Sequence, residues 1–527
     1  MAENGKLNIE YVIVTLFLAF VYSTCFVFGR NIEEFDAGLY SDVHTYIHIL
    51  IATVIIKLII DCVVFGLGKI RKIPELNLTK KISGRGLFFI AWIIMLVCYF
   101  PTWLACFPGL ELYDGPAQVA TWSRIHPLLH NVFVHLCVFI SNNILVTDWV
   151  LVYSVIQLIL YTLTFSLIFM KMRKLGVADI YLVAAYIGSI LFPLNGLMAI
   201  TTTKDALFAL IFTLWILELI ELLKEGEKYF ENRRNVCRLI VISVIMCTFR
   251  NNGIYVFVAT GVIFIIFLKK ARKKLLIFVI SFSVVYSLLT GPVLTMAGLP
   301  KGEPKEALSI IIQPLARVYR YAGYELSEED KSKIVKLFGG NEPWYLSHIA
   351  DPPKSQFDYE EFSSNKTEYL NLYIKEGLRY PWVYLDAVLG TTYGNWYPLD
   401  TLPDTTCFRV YFEFPEKTSE EYGSPLGGYY TFLQNFSYNS SYNKILPLRV
   451  MMSTGTAFWI MLAFGAYGIV RHRKGIILCV VPSIMLWGTI MLGPVALFRY
   501  TYPLMVANMA IGGVVFTDFF SALKHRE

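Results

Sequence analysis

Apolar runs of 16 to 24 residues, separated by short polar segments, recur along this 527-residue chain. A run of about 18 or more such residues is long enough to cross a bilayer as a helix. Read in order, the runs predict twelve spans, at 9–28, 45–67, 87–106, 147–170, 178–194, 204–223, 237–249, 253–268, 275–296, 450–470, 476–492 and 497–518. The stretch 297–449 breaks the pattern: it lacks long apolar runs and is rich in Tyr, Trp, Pro, Asp and Glu. Inside it, Ser327 to Leu337 predicts a short helix, with Ser at the N-cap, acids in the first turn and Gly339-Gly340 as the stop. A second is expected around Glu368 to Leu378, ending before Pro381.

Charge sets the sidedness of these spans, because Lys and Arg collect in cytoplasmic loops. Basic clusters occur at 69–85, 171–174, 224–238, 269–274, 471–474 and 524–526, whereas the loop after the first run carries Glu33, Glu34, Asp36 and Asp42. Both termini are therefore expected inside and 297–449 outside. One stretch, His126 to Ile140, must not cross if the cluster at 171–174 is to stay inside; it predicts an interfacial or re-entrant helix on the outer side. Ile9 to Phe28 reads as a retained first helix, since no small-residue cleavage site follows it.

The expected architecture is an all-α polytopic membrane protein with an extracytoplasmic mixed, mainly helical domain. Its parts are an N-terminal helix pair (1–86), a transmembrane core (87–296) with an outer loop and interfacial helix (104–146), the outer domain (297–449) and three C-terminal spans (450–527). Composition agrees, with 56% hydrophobic and only 16% charged residues, where soluble domains carry about 25%. The net charge of +6 resides mainly in the inner clusters and calls for no nucleic-acid partner. The nine cysteines show no metal spacing, and only Cys106 and Cys407 are expected to face outside. Tyr and Trp near 380–397 and 428–442 suit a surface lying against lipid headgroups.

Candidate chemistry gathers where cations break the inside rule. Arg124, Lys204, Arg250 and Arg499 lie at outer helix ends, with Glu111, Asp114, His126, His130, Asp205, Asn251 and Asn252 nearby. Asp114, in Leu110-Glu-Leu-Tyr-Asp-Gly-Pro116, is either a general base or metal ligand, or a turn-capping residue bonded to backbone amides. His126 and His130 are spaced to share a helical face, with Pro127 at the first helical position; they are interfacial histidines, phosphate contacts or aligners of Asp114. Thr202 and Asp205 resemble a capping box, and the same helix start with Lys204 is an anion site. Arg250-Asn251-Asn252-Gly253 forms a tight outer turn, and Arg499-Tyr500 opens the last span. Either Arg is a phosphate fork or a snorkelling anchor.

These segments, in this order, resemble the GT-C-fold membrane glycosyltransferases that take sugars from polyprenyl-phosphate donors, and within them a bacterial subgroup. The resemblance rests on Pro108 to Asp114 with His126-Pro127, Thr203-Lys-Asp205, Arg250 to Gly253 and Arg499-Tyr-x-x-Pro503. In the outer domain it adds Ile310 to Arg317 and Tyr373 to Pro398. It implies an inverting transferase of the cell membrane, moving a sugar from a polyprenyl-phosphate donor to a cell-envelope glycan or lipid acceptor. Asp114 would be the base or metal ligand, and His126, His130, Lys204, Asp205, Arg250, Asn251, Arg499 and Tyr500 would hold substrate or phosphate. Gly115 follows Asp114 where many relatives have a second acid, and Glu111 lies three residues earlier, which leaves a divalent metal, Mg or Mn, open. The competing readings are a lipid or polysaccharide transporter or flippase, and a membrane protein of structural role. Against transport stand the scarcity of midplane charges (Lys57, Glu218) and the lack of an internal repeat.

Overall fold

The computed structural model describes residues 2–3, 6–7, 9–39, 43–70, 79, 82–112, 114–300, 302, 304–399, 423–437 and 441–524. They are helical almost throughout, apart from a two-residue strand pair, Ala2–Glu3 with Lys6–Leu7. Twelve helices precede the outer domain: α1 Ile9–Phe35, α2 Val43–Lys69, α3 Gly84–Ala105, α4 Gly115–Ala120, α5 Leu128–Ile140, α6 Trp149–Lys174, α7 Asp179–Leu191, α8 Pro193–Ile200, α9 Lys204–Glu225, α10 Arg233–Phe249, α11 Gly253–Phe267 and α12 Arg272–Leu288. The outer domain is built on α13 Ser309–Ala322, α14 Glu328–Leu337, α15 Lys366–Arg379 and α16 Pro381–Thr392. The chain closes with α17 Thr456–Val470, α18 Lys474–Ile490 and α19 Phe498–Lys524.

Eight helices among the described residues are long and apolar enough to cross a membrane, or ten if two bent pairs each count as one span. Those pairs are α7 with α8, bent by 64°, and Leu446–Met452 with α17, bent by 80°. The protein therefore has the make-up of a multi-pass membrane protein. Helix α9 runs through its middle, with 83% of its apolar window buried, against 11% for α2 and 6% for α12, which face outward. It packs on α6, α10, α18 and α19.

With its following turn, α5 reaches Leu145 and has the length and hydropathy of a span. The packing of its neighbours argues that it turns back. Trp103 Nε1 on α3 donates to Ser154 Oγ on α6 at 3.0 Å, and Trp92 Nε1 to Thr162 Oγ1 at 3.2 Å. Arg173 Nη2 reaches the Ile82 carbonyl at 3.0 Å. Helices α3 and α6 are thus antiparallel, so the end of α3 and the start of α6 share one side. A single crossing between them does not fit, which agrees with the charge pattern.

In the outer domain, Ile312, Leu315, Phe338, Phe357, Phe362 and Tyr369 form a separate core. Helix α14 has the expected capping: Ser327 Oγ accepts from Asp330 N at 3.1 Å, and Gly339 and Gly340 take φ of 68° and 79° beyond its end. The second expected helix is α15, a little longer than the pattern predicted, and Pro381 starts α16 directly after it. Asp386 on α16 accepts the N–H groups of Gly38 and Leu39 at 2.9 and 3.1 Å, and buried Arg317 faces Asp36 at 3.4 Å. The loop joining α1 and α2 is therefore tied to the outer domain. This tie also changes one expectation: Tyr393, Trp396 and Tyr397 are buried under the domain, leaving Trp382 exposed among that aromatic group. Cys106 is buried, while Cys407 lies outside the described residues.

The two charges expected near midplane are both paired. Lys57 Nζ meets Asp61 Oδ2 at 2.5 Å. Glu218 belongs to a buried cluster near the C-terminal end of α9, with Lys171 at 2.6 Å, Arg238 at 3.1 Å and the Tyr229 hydroxyl at 2.9 Å.

Candidate functional site

At the opposite end of α9 the loop from Leu110 is zipped onto Ile200 to Thr203. Leu110 N donates to Ile200 O at 3.2 Å, and Thr202 N to Leu110 O at 2.9 Å. The Thr202 hydroxyl accepts from Leu112 N at 2.9 Å. Thr202 therefore does not serve in the expected capping box; Thr203 is the N-cap, its Oγ1 accepting from Asp205 N at 3.3 Å. The zipper carries Asp114 across to Lys204, which are 90 residues apart in sequence.

Asp114 stands just before α4 yet its side chain makes no capping bond, so the turn-capping reading fails. Its Oδ2 instead pairs with Lys204 Nζ and lies 3.5 Å from Arg499 Nη1. Asp205, wholly buried, forms an ion pair through Oδ1 with Arg250 Nη1 at 2.7 Å and faces Arg499 Nε from Oδ2 at 3.9 Å. The Tyr500 ring is near both guanidiniums, 4.9 Å from that of Arg250 and 5.1 Å from that of Arg499, and Phe208 flanks Arg250 at 5.4 Å. Three cations thus face two carboxylates, and cation–π contacts engage two of them. Burial alone would raise Asp114, but Lys204 and Arg499 outweigh it and hold the carboxyl well below the usual range. His126 is lowered from its ordinary value, by burial first and then by Lys204, so its imidazole is neutral near pH 7.

The expected residues divide into those that meet and those that stand behind. Asp114, Lys204, Arg499, Arg250 and Tyr500 converge, with His126 close enough to Asp114 for the two groups to be coupled electrostatically. Asp205 has no surface for a ligand and fixes the arginines instead. His130 is also buried; its Nε2 lies 2.9 Å from the Tyr153 hydroxyl, among Phe133 and Phe249. The shared helical face predicted for the histidines does not form, because α5 begins at Leu128 with Pro127 as its N-cap and His126 before it. Asn251 turns away from the charges and donates to Ile125 O at 3.0 Å.

The donor set does not fit a divalent metal. Among the described residues no three His, Cys, Asp or Glu converge. Glu111 is raised by burial and by Asp148, and lies by Trp149 rather than joining Asp114. Gly115 shows why a second acid is missing. A Cβ there would stand 2.8 Å from Thr202 Oγ1 and 3.4 Å from Trp149, so the zipper excludes any side chain.

Sequence reasoning missed Thr202 as the zipper's bolt, and Tyr153 and Phe208 as supports. The Thr201-Thr202-Thr203 run was a signal for Thr202, whereas an aromatic inside an apolar run carries none.

The class defined by these observations is a multi-pass helical protein with a half-buried ionic site at the ends of its helices. More narrowly, residues 113–520 match the family of unknown function DUF6020, and the chain belongs to that family. The matched segment contains every residue of the ionic site and begins after Glu111. No curated protein and no solved structure matches the chain.

Proposed function

We propose that this protein is a membrane glycosyltransferase of GT-C type, with twelve crossings, moving a sugar from a polyprenyl-phosphate donor to a cell-envelope acceptor on the outer face. The observation carrying this reading is the convergence of Asp114 with Lys204, Arg250 and Arg499, from segments far apart in sequence, on one partly open spot. Asp114 keeps 32% of its side-chain surface exposed, and Lys204 16%, whereas Asp205 beneath them keeps none.

The chemistry follows from that arrangement. Lys204 and Arg499, with Arg250 behind, bind the donor phosphate and stabilise the charge that builds on it. The acceptor oxygen forms a bond to the anomeric carbon as the carbon–oxygen bond to phosphate breaks, its electron pair leaving with the phosphate. The acceptor proton passes to Asp114. Before the donor arrives, Asp114 is too strongly paired to act as a base. A phosphate that draws Lys204 and Arg499 toward itself raises the carboxyl and makes it one. Neutral His126 lies alongside as an aligning group. No step runs through a metal.

The test is a transfer assay on purified protein with a panel of polyprenyl-phosphate sugars, with and without chelator. Transfer that survives chelation and is lost in Asp114→Asn supports the reading. Movement of lipid or glycan across vesicles without any transfer would sink it in favour of a transporter, and placement of the charges at helix ends rather than midplane weighs against that rival.

A further inference from the structure

Beside the ionic site, a half-open cavity of about 70 Å³ lies between the segment before α5 and the outer ends of α10 and α12. His126 borders it, Trp122, Ser123, Thr248, Asn251, Tyr286 and Thr290 supply about half of its wall, and leucines supply an apolar part of the rest. One water needs roughly 10–15 Å³ of such space, so the cavity holds on the order of five. That suits one small ring and not a polyprenyl chain.

The wall has a definite hydrogen-bonding sense. The Thr248 hydroxyl donates back to Val244 O at 2.6 Å, that of Thr290 to Tyr286 O at 2.8 Å, and that of Tyr286 to Cys247 O at 3.1 Å. Asn251 Nδ2 is bound to Ile125 O at 3.0 Å. These donors are engaged and their oxygens keep lone pairs for a ligand, while the Trp122 indole N–H, the Ser123 hydroxyl and the second Asn251 amide hydrogen can still donate. Arg124, a further wall residue, has Nε and Nη1 tied to the carbonyls of Pro300, Thr290 and Gly291 and to the Thr295 hydroxyl. No carboxylate among the described residues pairs with it, and it acts as a strut for the wall. A hydrocarbon would leave these polar groups unsatisfied, and an anion would find Nε and Nη1 of the one wall cation, Arg124, already bound to four oxygens. A neutral ring bearing several O–H donors matches them, and Trp122 supplies the aromatic surface that sugar C–H faces favour.

The geometry points to this cavity as the acceptor subsite, taking one neutral sugar or cyclic polyol ring and presenting its hydroxyl past His126 to Asp114. The inference rests on the transferase reading for its reaction, and on the cavity alone for its ligand. It separates the acceptor from the donor phosphate, which belongs among the cations.

The decisive measurement is saturation-transfer NMR on the full chain in micelles, with millimolar methyl glycosides, inositol and glycerol phosphate as probes. Saturation is expected on at least one neutral ring and not on glycerol phosphate. It should fall at least fivefold in Thr248→Trp, which fills the cavity, and also in the milder Thr290→Leu, each checked for an unchanged unfolding midpoint. Preference for glycerol phosphate, no neutral ring bound, or full binding in both variants would overturn the assignment. Ring binding without turnover of any polyprenyl-phosphate sugar would keep the cavity and remove the transferase. Transfer that persists unaltered in Thr248→Trp would do the reverse.

Discussion

The two ends of α9 carry clusters of the same formal make-up, three cations against two carboxylates. At the inner end Lys171, Lys174 and Arg238 surround Glu218 and Glu221; at the outer end Lys204, Arg250 and Arg499 surround Asp114 and Asp205. What differs is saturation. Glu218 accepts from Lys171, Arg238 and Tyr229, and Glu221 from Lys171, from Lys174 at 2.6 Å and from Arg238 at 2.8 Å. At the outer end Arg499 stands 3.5 and 3.9 Å from its two carboxylates, and a cavity and a histidine adjoin. A buried charge cluster that satisfies itself locks helices together, whereas one with loose pairs and an opening has capacity for a ligand.

The sharpest way to break this comparison is to neutralise one carboxylate at each end. Asp114→Asn should lower sugar transfer on the order of 10²–10⁴-fold with a small change in unfolding midpoint. Glu221→Gln should do the opposite: it leaves buried Lys171 with Glu218 alone and lowers stability by about 1.5–3 kcal/mol, while transfer per folded molecule is retained. Denaturation in micelles alongside the transfer assay reads both, and equal effects at the two ends would erase the distinction.

Smaller changes sharpen it. Arg499→Lys keeps the charge but loses the fork, and donor kcat/KM should fall about tenfold. Asp205→Asn leaves both arginines without their anchor, so KM for the donor should rise more than kcat falls, with Asp205→Glu partly restoring it. The least effect concerns pH. Asp114 is depressed when folded, so its pairing adds stability in full above the unfolded value of about 3.9 and loses it as pH falls through the folded value. Wild type and Asp114→Asn should therefore differ by a constant amount between pH 5 and 8 and converge only under acid, as unfolding midpoints would record.

Much of this arrangement was legible along the chain. The apolar runs placed the long helices, the basic clusters implied that α5 turns back, and a serine followed by acids and a glycine pair marked α14. These are local signals, since spans, caps and stops depend on neighbouring residues. The outer cations were legible too, because charge at the wrong end of a span is conspicuous. Their partners were not. Lys204 with Asp114 and Arg250 with Asp205 are pairings across folded segments, and Thr202 looked like a cap when its hydroxyl serves a loop 90 residues away.

Sequence by itself determined the class of this protein: an apolar, multi-span chain with one large polar insertion and a set of cations at helix ends. Tertiary structure alone decided that Asp205 and His130 stand behind the site, that Gly115 must lack a side chain, and that of two look-alike clusters one buries both carboxylates and the other only Asp205. The physical reason is that hydropathy and charge are summed along the chain, whereas satisfaction of a buried charge depends on which distant groups the fold brings within a few ångströms of it.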